Sequence, residues 1–212
     1  MLTKEEQDLC QELRHTQSVQ RRKAAKRIGK FKLANLSAPL LEAFLKERDD
    51  SRTWETQACM ICSLGRIQCK DALQAIHDII VKNLEFDAIT SSASEAYVRI
   101  ESLHSPPAKI ALELFKNGKH SVQYGALSAL YFDKVLPSES DMEKIIDAVE
   151  ATPRIEPPGM VGDLRELLIC LMAYWPANFT KPYLEKYSSD ANIRKIVVEY
   201  ALKGKAYGPK EY

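Results

Sequence analysis

The 212-residue chain predicts an all-α fold, a right-handed α-solenoid of about five helical pairs. Three observations carry that expectation. The motif Arg21-x-x-Ala24-Ala25-x-x-Ile28-Gly29 is answered about 36 residues later by Met60, Ile61, Leu64 and Gly65, with weaker echoes at Ser94, Val98 and Arg99 and at Ala126, Leu127 and Leu130. A period of about 20–50 residues built on helices signals stacked repeat units. Almost every stretch places its apolar residues at the helical period, and no convincing alternating strand occurs. Small residues also recur at matched positions (Ala24, Ala25, Ala58, Ala93, Ala126 and Ala129), which lets adjacent helices approach closely. A pair of this kind carries more apolar surface than its own two helices cover, so its neighbours must bury the remainder.

Each element follows from its local sequence. The first helix is expected near residues 3–14, with Leu2, Leu9 and Leu13 on one side and Thr3-x-x-Glu6 as a capping box. The second runs over about 18–31 and turns Ala24, Ala25, Ile28 and Phe31 inward. Its partner begins at Ser37 as N-cap, tolerates Pro39 in its first turn, and carries Leu36, Leu40, Leu41, Phe44 and Leu45 as a stripe. Asp49, Asp50 and Ser51 break the chain and cap a helix over 52–67 that buries Trp54, Ala58, Ile61 and Leu64; helix 70–82 then buries Leu73, Ile76 and Ile80. Gly29 and Gly65 fall where the first helix of a pair ends and the chain turns.

The third pair uses Ile89, Ala93, Ala96, Tyr97 and Ile100, then Ile110, Ala111, Leu114 and Phe115. Ser105-Pro106 puts a proline at its second start, and Asn117-Gly118 supplies the stop. The fourth opens near His120 with Val122, Ala126, Ala129 and Leu130. It resumes at Ser138 or Ser140, where Ser140-x-x-Glu143 reads as a capping box ahead of Met142, Ile145, Ile146 and Val149. Residues 152–159, with Pro153, Pro157, Pro158 and Gly159, read as a stiff loop. The last repeat is atypical: Leu164, Leu167, Leu168, Leu171, Met172 and Trp175, a short helix near 181–187, then Ile193, Ile196, Val197 and Tyr200. The whole reads as one domain over 1–212, with repeats at about 1–47, 50–83, 87–117, 119–151 and 160–203 and a frayed tail at 204–212.

Composition narrows the function classes. Lys and Arg number 30 against 29 Asp and Glu, so the net charge of +1 gives no global attraction to nucleic acid or to an anionic membrane. No apolar run approaches the roughly 20 residues that span a bilayer, and the polar, acidic start resembles neither a signal nor a transit peptide. Five cysteines, an odd number lying mostly in helical apolar patterns, fit buried thiols in a reducing compartment, so a cytoplasmic location is expected.

Arg21-x-x-Ala24-Ala25-x-x-Ile28-Gly29, repeated as Met60-Ile61-x-x-Leu64-Gly65 and introduced by Asp50-x-Arg52, resembles the HEAT-type repeat in its short, bilin-lyase-like form. The resemblance covers residues 17–150 better than 160–203, and the third and fourth copies depart from it, with Arg99 and Tyr131 at the glycine position. It implies a stacked fold and says little about function. In such arrays the second helix of each pair lines the concave groove.

Two charge features stand out. Arg21, Arg22, Lys23, Lys26, Arg27, Lys30 and Lys32 form a run with no acid among them. Helical spacing puts Arg22, Lys26 and Lys30 on one side, so with Arg21 they form a candidate phosphate-binding stripe; no aromatics interleave to stack on bases. Glu139, Asp141, Glu143, Asp147 and Glu150, opposed only by Lys144, lie on a second helix and would attract a basic protein. The first three also complement the helix dipole. Cys59-x-x-Cys62 with Cys69 and His77 invites a zinc reading, but Cys59 and Cys62 sit mid-helix, so structural thiols are expected. The four histidines (His15, His77, His104 and His120) fall in no recognisable catalytic motif, and neither a Gly-rich phosphate loop nor HExxH occurs. No catalytic residue, metal or cofactor is therefore predicted.

The favoured expectation is a non-catalytic protein-binding module that grips a partner at Glu139, Asp141, Glu143, Asp147 and Glu150. The array is also similar to small bacterial adaptor and immunity proteins, a likeness that implies a basic toxin or enzyme as partner. The alternative is a nucleic-acid-binding protein related to the HEAT-like alkylpurine DNA glycosylases, using Arg21, Arg22, Lys26 and Lys30. Those enzymes rely on a groove tryptophan followed one turn later by a carboxylate. Here Ala58 follows Trp54, and Trp175 is followed by Pro176 and Phe179, so that pattern is missing. No membrane partner is implied.

Overall fold

The structure, a computed structural model, describes residues 2–154 and 162–209. Among them there are twelve α-helices and no strand: α1 (Lys4–Glu12), α2 (Ser18–Lys30), α3 (Ser37–Glu47), α4 (Trp54–Arg66), α5 (Leu73–Lys82), α6 (Ala88–Glu101), α7 (Pro107–Asn117), α8 (His120–Phe132), α9 (Glu139–Ala151), α10 (Leu164–Met172), α11 (Ala177–Ser188) and α12 (Lys195–Leu202). The fold is all-α, and no helix of the described residues is long and apolar enough to cross a membrane. Single 3-10 turns at Ala34–Leu36, Ser51–Thr53 and Lys70–Ala72 lead into α3, α4 and α5.

Helix starts follow the local chemistry, with some shifts from expectation. At α1 the Thr3 hydroxyl accepts from the Glu6 N–H at 3.3 Å and the Glu6 carboxylate accepts from the Thr3 N–H at 2.7 Å, a complete capping box. Asp87 and Asp163 cap α6 and α10 with their side chains. Ser138, not Ser140, caps α9, accepting from the Asp141 N–H at 3.2 Å. Ser37 caps nothing with its side chain, because the preceding 3-10 turn already delivers the chain in helical geometry. Pro107 stands at the first position of α7, and Pro106 precedes it as the cap. Of the expected loop, Ile155, Glu156, Pro157, Pro158 and Gly159 lie outside the described residues.

Packing is serial. Each first helix lies against the next, α2 on α4, α4 on α6, α6 on α8, α8 on α10 and α10 on α12. Each second helix lies on the first helix of the following pair, α3 on α4, α5 on α6, α7 on α8, α9 on α10 and α11 on α12. Helix α8, flanked by α6, α7 and α10, is buried all round except at Tyr124 and Phe132. Two apolar clusters result. One gathers Leu9, Ile28, Leu40, Phe44, Ile61, Leu64 and Ile76; the other gathers Phe115, Leu127, Leu130, Ile145, Leu168 and Trp175, and Tyr97 packs against both.

The glycines act differently from their expected role. Gly29 and Gly65 stand at the ends of α2 and α4 as expected, each the next-to-last helical residue, but they do not make the turns. A Cβ on Gly29 would come within 2.6 Å of the Ser63 hydroxyl, and one on Gly65 within 2.6 Å of the Ala96 Cα. Both therefore permit backbone-level contact between successive first helices. Side-chain hydroxyls tie the same interfaces: Ser63 donates to the Ala25 carbonyl at 2.8 Å, Thr56 to the Ser18 carbonyl at 3.3 Å and Ser94 to the Val122 carbonyl at 2.6 Å. The chain turns three residues after each glycine, at Lys32 (φ 51°) and Gln68 (φ 53°), and in the fourth copy at Lys134 (φ 49°). In all three copies the following N–H closes the helix end: Leu33 to the Ile28 carbonyl, Cys69 to Leu64 and Val135 to Leu130, at 3.1, 3.0 and 2.9 Å.

Several residues expected inside face solvent. Phe31 caps α2 from beyond its last turn, off the apolar stripe, and is 57% exposed. Trp54 begins α4 straight after a 3-10 turn and is 49% exposed. Leu2 and Leu45 are also exposed; α3 buries Leu40, Ala43, Phe44 and Glu47, a stripe that passes Leu45 by. The stretch expected as a frayed tail is described as far as Pro209. There Tyr207 lies 5.2 Å from the Tyr200 ring, and Gly208 sits against Cys170 and Tyr131.

Because the Gly65 contact is with backbone, the neighbour cannot yield by rotating a side chain. Gly65→Ala is expected to cost about 2–3 kcal/mol, read as a fall in the urea midpoint with an unchanged slope.

Candidate functional site

The acidic residues of α9 divide between two flanks. Asp141 is half-buried and accepts from the Ser138 hydroxyl at 2.9 Å, with Lys144 at 3.8 Å. Glu150, also half-buried, accepts from the Tyr187 hydroxyl and from Lys186 at 3.2 Å, which joins α9 to α11. Burial works against its ionisation, but those hydrogen bonds prevail and hold its carboxyl below the ordinary value. Glu139, Glu143 and Asp147 remain exposed. The structure thus brings Glu150 into the fold and leaves three of the five acids on open surface.

Beside this helix lies a groove of about 700 Å3 between the second helices α7 and α9. Leu112, Phe115, Ala148, Ala151 and Pro153 give it an apolar floor, and Lys109, Glu113, Lys116, Asp141 and Lys144 form a charged rim. Lys116 pairs with Glu113 at 2.7 Å, so the rim is partly self-neutralised. Of the five acids expected to bind, Asp141 alone lines this groove.

The basic run of α2 meets acids that lie far off in the sequence. Arg21 holds Glu47 with two bonds, at 2.6 and 2.7 Å, and donates to the His15 and Thr16 carbonyls at 2.7 and 2.8 Å. Arg22 pairs with Glu55, and Arg27 with Glu5 and Glu12. Lys26 is half-buried; with Arg22 and Arg66 it partly offsets the burial that raises the Cys59 thiol pKa. Lys30 is exposed, with its ammonium 5.5 Å from the Phe31 ring centre. So Arg21 and Arg22 are engaged in ion pairs within the fold, and of the four residues of the expected stripe Lys30 is the exposed one.

Lys30 instead opens onto a second cavity, of about 780 Å3, across the C-terminal ends of α2, α4, α6 and α8. Lys32, Arg66, Gln68, Arg99, Ser102 and Asp133 line it as well. Arg99, only 4% exposed, is fixed by Asp133 at 2.9 and 3.0 Å and by Glu95 at 2.7 Å. Sequence reasoning missed Arg66, Gln68 and Arg99 as neighbours of Lys30. The available signal was the repeat itself: Lys32 and Gln68 follow their glycines at the same distance.

The cysteines are packing groups. Cys59, Cys62, Cys69 and Cys170 are buried, and burial raises the pKa of each, for Cys170 to about 11. His77 is exposed, and no group of three or more metal-ligating side chains gathers among the described residues. The buried histidine is His120, between the rings of Phe86 (5.6 Å) and Tyr124 (5.9 Å), with Nδ1 lacking a hydrogen-bond partner among the described residues.

Comparison with known proteins adds no relative. No protein-family model matches the chain, and no curated protein or solved structure matches it. Its residues must speak for themselves.

Two outcomes are expected. Glu47 is 6% exposed, so Arg21→Ala strands a buried carboxylate and should cost about 3–5 kcal/mol, whereas Lys30→Ala leaves the denaturation midpoint within about 0.5 kcal/mol. Burial lowers the His120 pKa, with Asp163 and Glu85 opposing in part. The unfolded chain then takes up a proton that the folded chain refuses, so this contribution is intact above about pH 6.5 and is lost as pH falls. His120→Phe is expected to flatten the fall in thermal midpoint between pH 7.5 and 5.5.

Proposed function

We propose that the protein is a non-catalytic protein-binding module: a right-handed α-solenoid of HEAT-like helical pairs whose partner docks in the groove between α7 and α9. The serial packing of first helix on first helix supports the solenoid reading, since each pair relies on the next to cover its apolar side. The observation that carries the docking site is its lining. An apolar floor of Leu112, Phe115, Ala148, Ala151 and Pro153 within a charged rim is the ordinary anatomy of a protein contact.

Helix α9 presents Glu139, Glu143 and Asp147 to solvent on its other flank, which favours a partner with basic residues beside its apolar anchor. A toxin or enzyme of that character would be held by occlusion. No residue of this chain needs to do chemistry for such a function.

The test is site-specific photo-cross-linking in the cell of origin, with the reactive group at Ala148. One protein adduct is expected, lost on Ala151→Arg. Glu143→Lys with Asp147→Lys should weaken capture about tenfold at low salt and less at high salt. A partner retained after Ala151→Arg, or cross-links to nucleic acid in its place, would contradict the reading.

A further inference from the structure

We infer that the partner enters the α7–α9 groove as a single amphipathic helix, with acids along one side of its apolar stripe and bases along the other. This rests on the protein-binding reading above and names the element that such a partner must supply.

The floor sets the backbone conformation of whatever lies on it. Leu112, Phe115, Ala148 and Pro153 bring no polar side chain. The uncharged polar side chains of the lining are already engaged. The Gln123 amide donates to the Phe115 carbonyl at 3.3 Å, and the Thr152 hydroxyl lies 3.0 Å from the Ala148 carbonyl and 3.3 Å from the Gln123 Oε1. Among the described residues there is no strand, so no sheet edge is on offer. An extended segment laid here would bury N–H and C=O groups without partners, a cost that grows with each residue. A helix pairs its own backbone and offers only side chains to the groove.

The α9 wall suits such a helix in spacing and in size. Asp141, Lys144, Ala148 and Ala151 recur at steps of three and four, so they form one stripe, about 15 Å long at the helical rise. That length matches roughly three turns of a docked helix. The second half of the stripe is alanine, which lets another helix come near, while Leu112 and Phe115 supply larger side chains across the groove.

Charge distinguishes the two walls. On α7, Lys116 is taken by Glu113 at 2.7 and 2.8 Å, whereas Lys109 is exposed and paired with no acid among the described residues. On α9, Asp141 and Lys144 face one another at 3.8 Å. Asp147 follows Lys144 by three positions and precedes Ala151 by four, so of the exposed acids of α9 it stands nearest the groove. It is exposed and paired with no base among the described residues. The uncommitted charge is therefore positive on one wall and negative on the other. A helix between them meets Lys109 with an acid and Asp147 with a base.

The test is fluorescence anisotropy of the full chain at low salt with a labelled synthetic helix of about 14 residues, its leucines spaced at i, i+3, i+4 and i+7. Glutamates flank the leucines on one side and lysines on the other; a comparison peptide carries a central proline. Saturable binding of the first peptide is expected, lost on Ala151→Arg with the thermal midpoint unchanged, and absent for the proline peptide. Lys109→Glu and Asp147→Lys should each weaken binding about threefold to fivefold. Both together should restore it, because the helix then lies the other way round, a rescue that a merely structural role would not give. Three results would overturn the inference: no saturable binding at millimolar concentration, equal binding of the proline peptide, or a double variant weaker than either single one. Self-association of the chain that Ala151→Arg abolishes would name a second copy as occupant and overturn it too. An Ala148 cross-link that the helical peptide fails to displace defeats this inference and leaves the protein-binding reading standing, whereas absence of any protein adduct defeats that reading.

Discussion

Successive first helices must meet at the level of their backbones, and the remaining geometry of the molecule depends on that contact. Gly29 against Ser63, Gly65 against Ala96 and Gly125 against the Ser91 carbonyl leave no room for a further carbon atom. Serine hydroxyls convert the same contacts into hydrogen bonds, at Ser63 to Ala25 and Ser94 to Val122. An apolar interface alone could slide by a helical turn; a buried hydroxyl that must find one carbonyl fixes the register, since leaving it unmade costs about 1–3 kcal/mol.

Two unlike concave surfaces follow from one stacking rule. The second helices enclose an apolar floor, while the C-terminal ends of the first helices leave a polar cavity floored by Gly29 and Gly65. Between them runs a core rich in satisfied polar groups. Arg99 bridges α6 to the turn after α8 through Asp133, and Trp175 donates to the Val135 carbonyl at 3.1 Å across the next interval. Buried polar bonds of this sort favour one arrangement over slipped alternatives.

What the sequence could and could not say is clear from particular residues. Helical periodicity located every helix within a few positions, because core stripes such as Leu40 and Phe44 or Ile145 and Val149 are set by local geometry. The repeat also marked the glycines, but their purpose depends on the residue that faces them 34 or 31 positions away, Ser63 or Ala96, and no local pattern supplies that. Charge was the least legible property. The run from Arg21 to Lys32 contains no acid, yet Glu47, Glu55, Glu5 and Glu12 reach it through space. Conversely, the cavity that Lys30 shares with Arg66 and Arg99 draws on the ends of four helices, from positions that are unremarkable alone. Trp54 and Phe31 misled for a simpler reason: each sits at a helix end, where the angular periodicity of the stripe no longer holds.

Serial packing makes a demand that a single bundle would not meet. Its two apolar clusters meet along the α6–α8 contact, where Tyr97 packs against both, and the ends of the row, lying far from one another's cluster, should differ in local stability. Native-state amide exchange in rising denaturant measures this directly. Amides of α2 and α4 on one side and of α8 and α10 on the other are expected to exchange through separate openings with different free energies and different denaturant slopes. Convergence of all of them on one global unfolding energy, with one slope, would contradict the account.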